Sequence, residues 1–147
     1  MVSTDPGRNK VTATPVRVLA LVLVVLLAPG CHPDVSTPRG TAEHFLDLHY
    51  VAIDLPAALE VTRGVARGKV ERELALTRGQ QIDDTTRKPS VHYKLLEEHP
   101  AGDEAMNYVY LGTITVDGAD RFERRWMVTV RREDDAWRVT NYQEFEE

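Results

Sequence analysis

Imidazole and carboxylate are the groups most used to bind metals and move protons, and His44, Asp47 and His49 bring them together within six residues. Their spacing does not make a triad. On an α-helix His44 and Asp47 are neighbours, whereas Asp47 and His49 diverge by about 200°. The two histidines also lack the His-x-x-x-His spacing that sets two imidazoles on one face. His49 therefore reads as a hydrogen-bonded residue of a half-buried helix and His44 as a surface residue, with no metal and no other cofactor expected. The remaining reactive group is the thiol of Cys31, the single cysteine of the chain. It lies just beyond an uncharged apolar run, Val18 to Ala28, which is itself preceded by Arg8, Lys10 and Arg17. A membrane-spanning helix needs about 20 apolar residues, so this shorter run reads as a cleaved signal. Pro29 and Gly30 break the helix where a peptidase needs extended chain.

That order of basic residues, apolar run, small residue (Gly30) and cysteine resembles the lipobox of bacterial lipoproteins. The resemblance implies that the Cys31 thiol is diacylated, that the chain is cut in front of it, and that a third acyl chain is added through an amide. It divides the chain into a signal peptide (1–30), a lipidated cysteine with a Pro-containing tether (31–40) and a folded body (41–147). The bilayer is then a partner through Cys31, and the expected location is the cell envelope. His32 stands where an Asp would be the retention signal in the enteric sorting pattern, which favours the periplasmic side of the outer membrane in a Gram-negative cell. With its thiol consumed, the body has no disulfide, no cysteine-bound zinc and no thiolate nucleophile. Removing Asp5, Arg8, Lys10 and Arg17 from the 23 acidic and 18 basic residues leaves a net charge of about −7. No nucleic-acid partner is expected, because phosphate neutralisation needs concentrated positive charge.

The body must position what chemistry remains. Thr41 is an expected N-cap, and Ala42, Phe45, Leu46, His49 and Ile53 recur at helical spacing, with Glu43, Asp47 and Tyr50 toward the other side. Asp54 caps a second helix beginning Leu55-Pro56. Its apolar stripe runs to about Thr77, with a break expected around Gly64 and Gly68 and a C-terminal cap at Gly79. After a polar stretch (80–89) the period changes to two. Val91, Tyr93 and Leu95 begin one strand; Met106, Tyr108, Tyr110, Ile114 and Val116 share one face of a central second. Phe122, Trp126, Val128 and Val130 mark a third strand, and Trp137-Arg138-Val139 begins a fourth, with turns at Pro100–Asp103, Asp117-Gly118 and Glu133–Asp135. Helices followed by a four-stranded antiparallel meander mean α+β, with the helices covering one face of a curved sheet.

This arrangement resembles the NTF2-like, or cystatin-like, superfamily over residues 41 to 145, and especially its uncharacterised envelope lipoproteins. Phe45 on helix 1, Asp54 at the helix junction, Ala58 and Leu59 on helix 2, and Asp-Asp-Ala-Trp-Arg-Val (134–139) followed by Tyr142 carry the likeness. It implies a pocket between helices and sheet, with His49, Tyr93, Tyr108, Tyr110 and Trp126 as candidate lining. The function expected is a non-catalytic binding or interaction module; the rival is a small-ligand binder or an isomerase or dehydratase using His49 and the tyrosines. Arg121, Arg124, Arg125, Arg131 and Arg132 interleave with Glu123, Glu133, Asp134 and Asp135 as cross-strand pairs on a solvated face. That face, with Val109, Leu111 and Met127, is where a second copy or an envelope protein would dock.

Overall fold

The computed structural model describes residues 1–2, 33–80, 86–118 and 121–145. Cys31 and the signal assigned around it lie outside the described residues. The rest is α+β: α1 (Pro38–Leu46), a π-helical turn (Asp47–Val51), α2 (Leu55–Glu60) and α3 (Gly64–Leu76) precede β1 (Ser90–Pro100), β2 (Ala105–Thr115), β3 (Phe122–Glu133) and β4 (Ala136–Phe145). The strands pair in sequence order, each antiparallel to the next. The helices cover one face, and the core between the layers contains Phe45, Leu46, Ala58 and Val70 from the helices and Tyr108, Tyr110, Trp126, Val128 and Val139 from the sheet.

The first helix begins earlier than the Thr41 cap expected, and takes in residues assigned to the tether. Thr37 is the N-cap, accepting the Gly40 N–H on its hydroxyl at 3.0 Å, and Pro38 opens the first turn, where its missing N–H costs nothing. Asp34 folds the preceding chain onto this turn, its carboxylate accepting from the Ser36 amide and hydroxyl and its carbonyl from Thr37. Thr41 is buried, and its hydroxyl donates back to the Val35 and Thr37 carbonyls.

The same helix ends differently as well. Continuous α-helix to Ile53 is replaced after Leu46 by a wider π turn, in which the Ala52 N–H donates to the Asp47 carbonyl at 2.8 Å. The wider turn swings Tyr50 from the solvent side, where a 3.6-residue period puts it, to the sheet. There its ring stacks on Trp126 at 4.2 Å with 13° between planes, and its hydroxyl donates to Glu144. Ile53 closes the turn at φ +56, a conformation that branching at Cβ makes costly. Asp54 caps α2 as expected, accepting the Ala57 N–H at 3.1 Å.

The break near Gly64 occurs because the chain there joins the sheet. Arg63 N–H donates to the Val139 carbonyl and Val139 N–H to the Val61 carbonyl, so a short parallel bridge pins residues 61–63 to β4. Gly68 stays within α3. In β4 the register slips between Val139 and Asn141, the position of a bulge opposite Thr129 and Val130. Asp134 and Asp135, both at positive φ, close the two-residue hairpin between β3 and β4, as mirror-image turns require. Among the expected ion pairs, Arg132 lies 3.7 Å from Asp135 and Arg121 3.5 Å from Glu123, the first reaching into the hairpin turn and the second joining near neighbours at the start of β3, so neither runs across two strands.

Gly112 sets how closely the sheet packs on itself. A Cβ there would stand 2.2 Å from the Trp126 ring, so the indole of β3 lies across the bare backbone of β2 and fills the place of a side chain.

Candidate functional site

A cleft of about 380 Å³ opens between the helical layer and the β1 side of the sheet, within the size range of small-molecule sites. The sheet contributes Val91, Ile114 and Trp126, and the helical layer Tyr50, Leu55 and Leu76. Its walls are almost wholly apolar, with His49 and Glu73 the titratable pair. Ile53, Leu55 and Thr77 also line a second hollow of about 790 Å³, whose rim carries Asp54, Arg78, Gln80 and Lys88.

His49 and Glu73 face each other across the turn and α3, with Nε2 2.6 Å from Oε2. The other carboxylate oxygen, Oε1, accepts from the Tyr142 hydroxyl at 2.6 Å. Burial works to raise the Glu73 pKa, but the hydrogen bonds from His49 and Tyr142, with the charges of His49 and Lys69, prevail and hold it below its ordinary value. Glu73 is therefore ionised, so His49 donates through Nε2. Its Nδ1 is buried with no partner among the described residues. The imidazole stacks on Phe45 at 5.1 Å and meets the edge of Tyr50 at 4.4 Å. Burial, then the hydrogen bond to Glu73, pushes the Tyr142 hydroxyl well above its ordinary range. The Lys69 ammonium lies 5.0 Å from the centroid of that ring and donates to Asn141 and to the Tyr142 carbonyl.

Of the five expected pocket residues, His49 and Trp126 line the cleft. Tyr93, Tyr108 and Tyr110 do not. Tyr93 donates its hydroxyl to Asp47 at 2.6 Å and meets Tyr110 edge-on at 5.7 Å. Tyr108 and Tyr110 are core residues, fully or almost fully buried. They lie on the expected sheet face, but α1 packs on that part of it, so their rings fill the interior instead of bounding a cavity. Burial raises the hydroxyl pKa of Tyr93, Tyr108 and Tyr110 alike. Glu73, Tyr142 and Tyr50 complete the site and were not among the expected residues. Glu73 is 24 residues from His49 and Tyr142 a further 69 along, too far for any local spacing to link them. Asp47 being taken by Tyr93 and His49 by Glu73, the two residues diverge as the helical geometry requires. Among the described residues no three His, Cys, Asp or Glu side chains converge as metal ligands.

Solved structures share this architecture. An NTF2-like protein of unknown function from Shewanella oneidensis superposes with a TM-score of 0.52 at 13% identity, over 74% of this chain and 98% of that one. A ketosteroid isomerase-like protein from Erwinia carotovora atroseptica gives 0.52 at 13% identity, over 75% and 93%. VirB8 from Agrobacterium tumefaciens gives 0.51 at 13% identity, over 74% and 90%. The fold is NTF2-like. No family model matches the sequence, and no curated relative does.

The network makes stability depend on acid in a defined way. The folded chain holds the Glu73 proton less tightly than the unfolded chain, so this contribution is complete above the unfolded pKa near 4.5 and is lost as pH falls through the lower folded value. Glu73→Gln cannot titrate. Urea midpoints should show the wild-type advantage over Glu73→Gln shrinking as pH drops from about 5 toward 3; an advantage constant over that interval contradicts an ionised, doubly bonded Glu73.

Proposed function

We propose that this chain is a lipid-anchored protein of the cell envelope whose NTF2-like domain binds an apolar small molecule without transforming it. One observation carries the reading: the cleft is large enough for a small ligand, and the carboxylate, imidazole and phenol groups of its wall are bonded within the fold while the Trp126 indole N–H is buried. Each Glu73 oxygen accepts a hydrogen bond, His49 uses Nε2 on Glu73, and His49 Nδ1 is shut away from solvent. A general base at neutral pH works best with a pKa near 7. Glu73 is displaced the opposite way, and Tyr142, its neighbour, is displaced far from use as an acid. What faces a ligand is Trp126, Tyr50, Ile114, Val91, Leu55 and Leu76, a surface whose contribution is contact and exclusion of water.

The isomerase or dehydratase reading draws on the same His49–Glu73 pair, since such a dyad beside an apolar cleft is the material of proton transfer. It requires ligand entry to release one of those two groups. The non-catalytic reading requires no such rearrangement.

The two tryptophans of the chain provide an internal control for binding. Trp126 lines the cleft, whereas Trp137 begins β4, opposite Arg132. Titrating the intact chain with naphthalene, a neutral apolar probe, should move the Trp126 indole resonance in NMR spectra and leave that of Trp137 in place. Equal movement of both, or of neither, contradicts the cleft as a ligand site. The anchoring is tested by mass. Protein extracted from membranes of the host should begin at Cys31 and carry added acyl chains, and Cys31→Ser should accumulate uncut; a water-soluble product with an unmodified thiol overturns this placement.

A further inference from the structure

The free chain before α1 is short. Asp34 to Thr37 fold back on the helix: the Asp34 carboxylate accepts from Ser36, and its carbonyl accepts from the Thr37 amide and hydroxyl. Gly40 lets this turn close. A Cβ at Gly40 would fall inside the van der Waals surface of the Asp34 carbonyl oxygen, so the turn packs on bare helix backbone. Only His32 and Pro33 then separate Cys31 from the folded body, a reach of about 11 Å from Cys31 to Asp34, against about 30 Å for a free chain to Gly40. The turn also stands at one end of the body, because α1 runs antiparallel to β1. Arg39 feels the charge of Glu98, near the end of β1; the Glu43 carbonyl and the Asp47 carboxylate receive the Tyr93 hydroxyl; and Tyr50 reaches Trp126. The hairpins Pro100–Ala105 and Glu133–Ala136 therefore lie at the Asp34 end, and the cleft, with Val91 and Ile114, lies at the other.

Resting on the anchoring proposed above, we propose that the body stands on its Asp34 end against the lipid headgroups, so that the cleft is held at the far end and is presented to the surrounding compartment rather than to the bilayer. The opposite orientation would put the exposed apolar side chains of the cleft end, Val51, Leu76 and Phe122, on the lipid. The tether forbids it. Pro38 to Tyr50 spans roughly 18 Å of helix, so an inverted body would need Asp34 at least that far above the surface, beyond the reach of the two residues that hold it. The end left to meet the headgroups suits them. Asp103, Glu104, Glu133, Asp134 and Asp135 occupy its two hairpins, and carboxylates are costly to bury in hydrocarbon, so this end abuts the bilayer without entering it.

The two tryptophans measure the orientation. Trp137 pairs with Arg132 beside the β3–β4 hairpin, and Trp126 lies further back along β3, roughly 20 Å toward the cleft end. Protein extracted from host membranes, with fluorotryptophan incorporated, is placed in phosphatidylcholine nanodiscs that carry a gadolinium-chelating headgroup. The Trp137 fluorine resonance should lose most of its intensity, and that of Trp126 should keep most. Gly40→Ala, which displaces Asp34 from the helix, and a long Gly/Ser insert between Pro33 and Asp34, which leaves α1 untouched, should each bring the two losses closer together, because a flexible tether lets the body turn. Fluorine shifts that match the wild type without gadolinium show that each variant is folded. Equal losses in the wild type, or a greater loss at Trp126, overturn the orientation and leave the anchoring standing, as does a difference that survives the insert. Intact mass on the same sample separates the two readings: a product without acyl chains overturns the anchoring and the orientation with it.

Discussion

Trp126 lies between the bare backbone of Gly112 on the neighbouring strand and the ring of Tyr50 from the helical layer, and most of what distinguishes this molecule follows from that three-part stack. The indole can lie so low on the sheet only because Gly112 has no side chain. Tyr50 can reach it only because the chain after Leu46 takes a π turn instead of another α turn. Burying an indole and pairing it with a second ring are each large terms for a small domain, with truncation of a core tryptophan costing about 3–5 kcal/mol and a stacked pair adding about 0.5–1.5 kcal/mol. The helical layer is thereby clamped to the sheet at one point, with Glu144 of β4 accepting the Tyr50 hydroxyl as a second tie.

The clamp also makes the cleft. Tyr50 and Trp126 form one of its walls, and α3 approaches from the other side carrying Glu73 and Leu76. The π turn that delivers Tyr50 delivers His49 as well, into contact with Phe45, Tyr142 and Glu73. His49 Nε2 and both Glu73 oxygens are thus bonded within the fold, while the surface of the cleft is almost wholly hydrocarbon. Packing at the stack and the apolar character of the site have one local origin, the irregular turn between α1 and α2.

The α+β class and strand order were legible in the sequence because the hydrophobic period changes from helical to alternating after residue 89, and because turn residues separate four runs of similar length. The Asp54 cap was legible for the same kind of reason, a short polar side chain before Leu55-Pro56. Thr37-Pro38 carries an equally local cap-and-proline signal, whereas the Thr41 hydroxyl satisfies carbonyls of the preceding turn. The site was half legible. His49 and Trp126 lie on apolar faces that any helix-covered sheet brings together, but a fixed 3.6-residue period put Tyr50 on the wrong side, since nothing in Asp-Leu-His-Tyr-Val announces an extra residue per turn. Glu73 and Tyr142 reach His49 only through tertiary packing. Tyr93, Tyr108 and Tyr110 sit on the expected face, and periodicity does not tell which part of that face is covered by a helix and which borders a cleft.

Gly112 serves the close approach of an indole and not backbone freedom, since its φ is not in the left-handed region. An ordinary strand glycine replaced by alanine gains stability, by about 0.5–1 kcal/mol. Here the added methyl meets the ring of a fully buried side chain held from above by Tyr50. Urea denaturation of Gly112→Ala should therefore show a loss of about 1–3 kcal/mol, the cost of overpacking a tight core. A neutral or stabilising substitution would contradict the stack, and with it the origin assigned to the cleft.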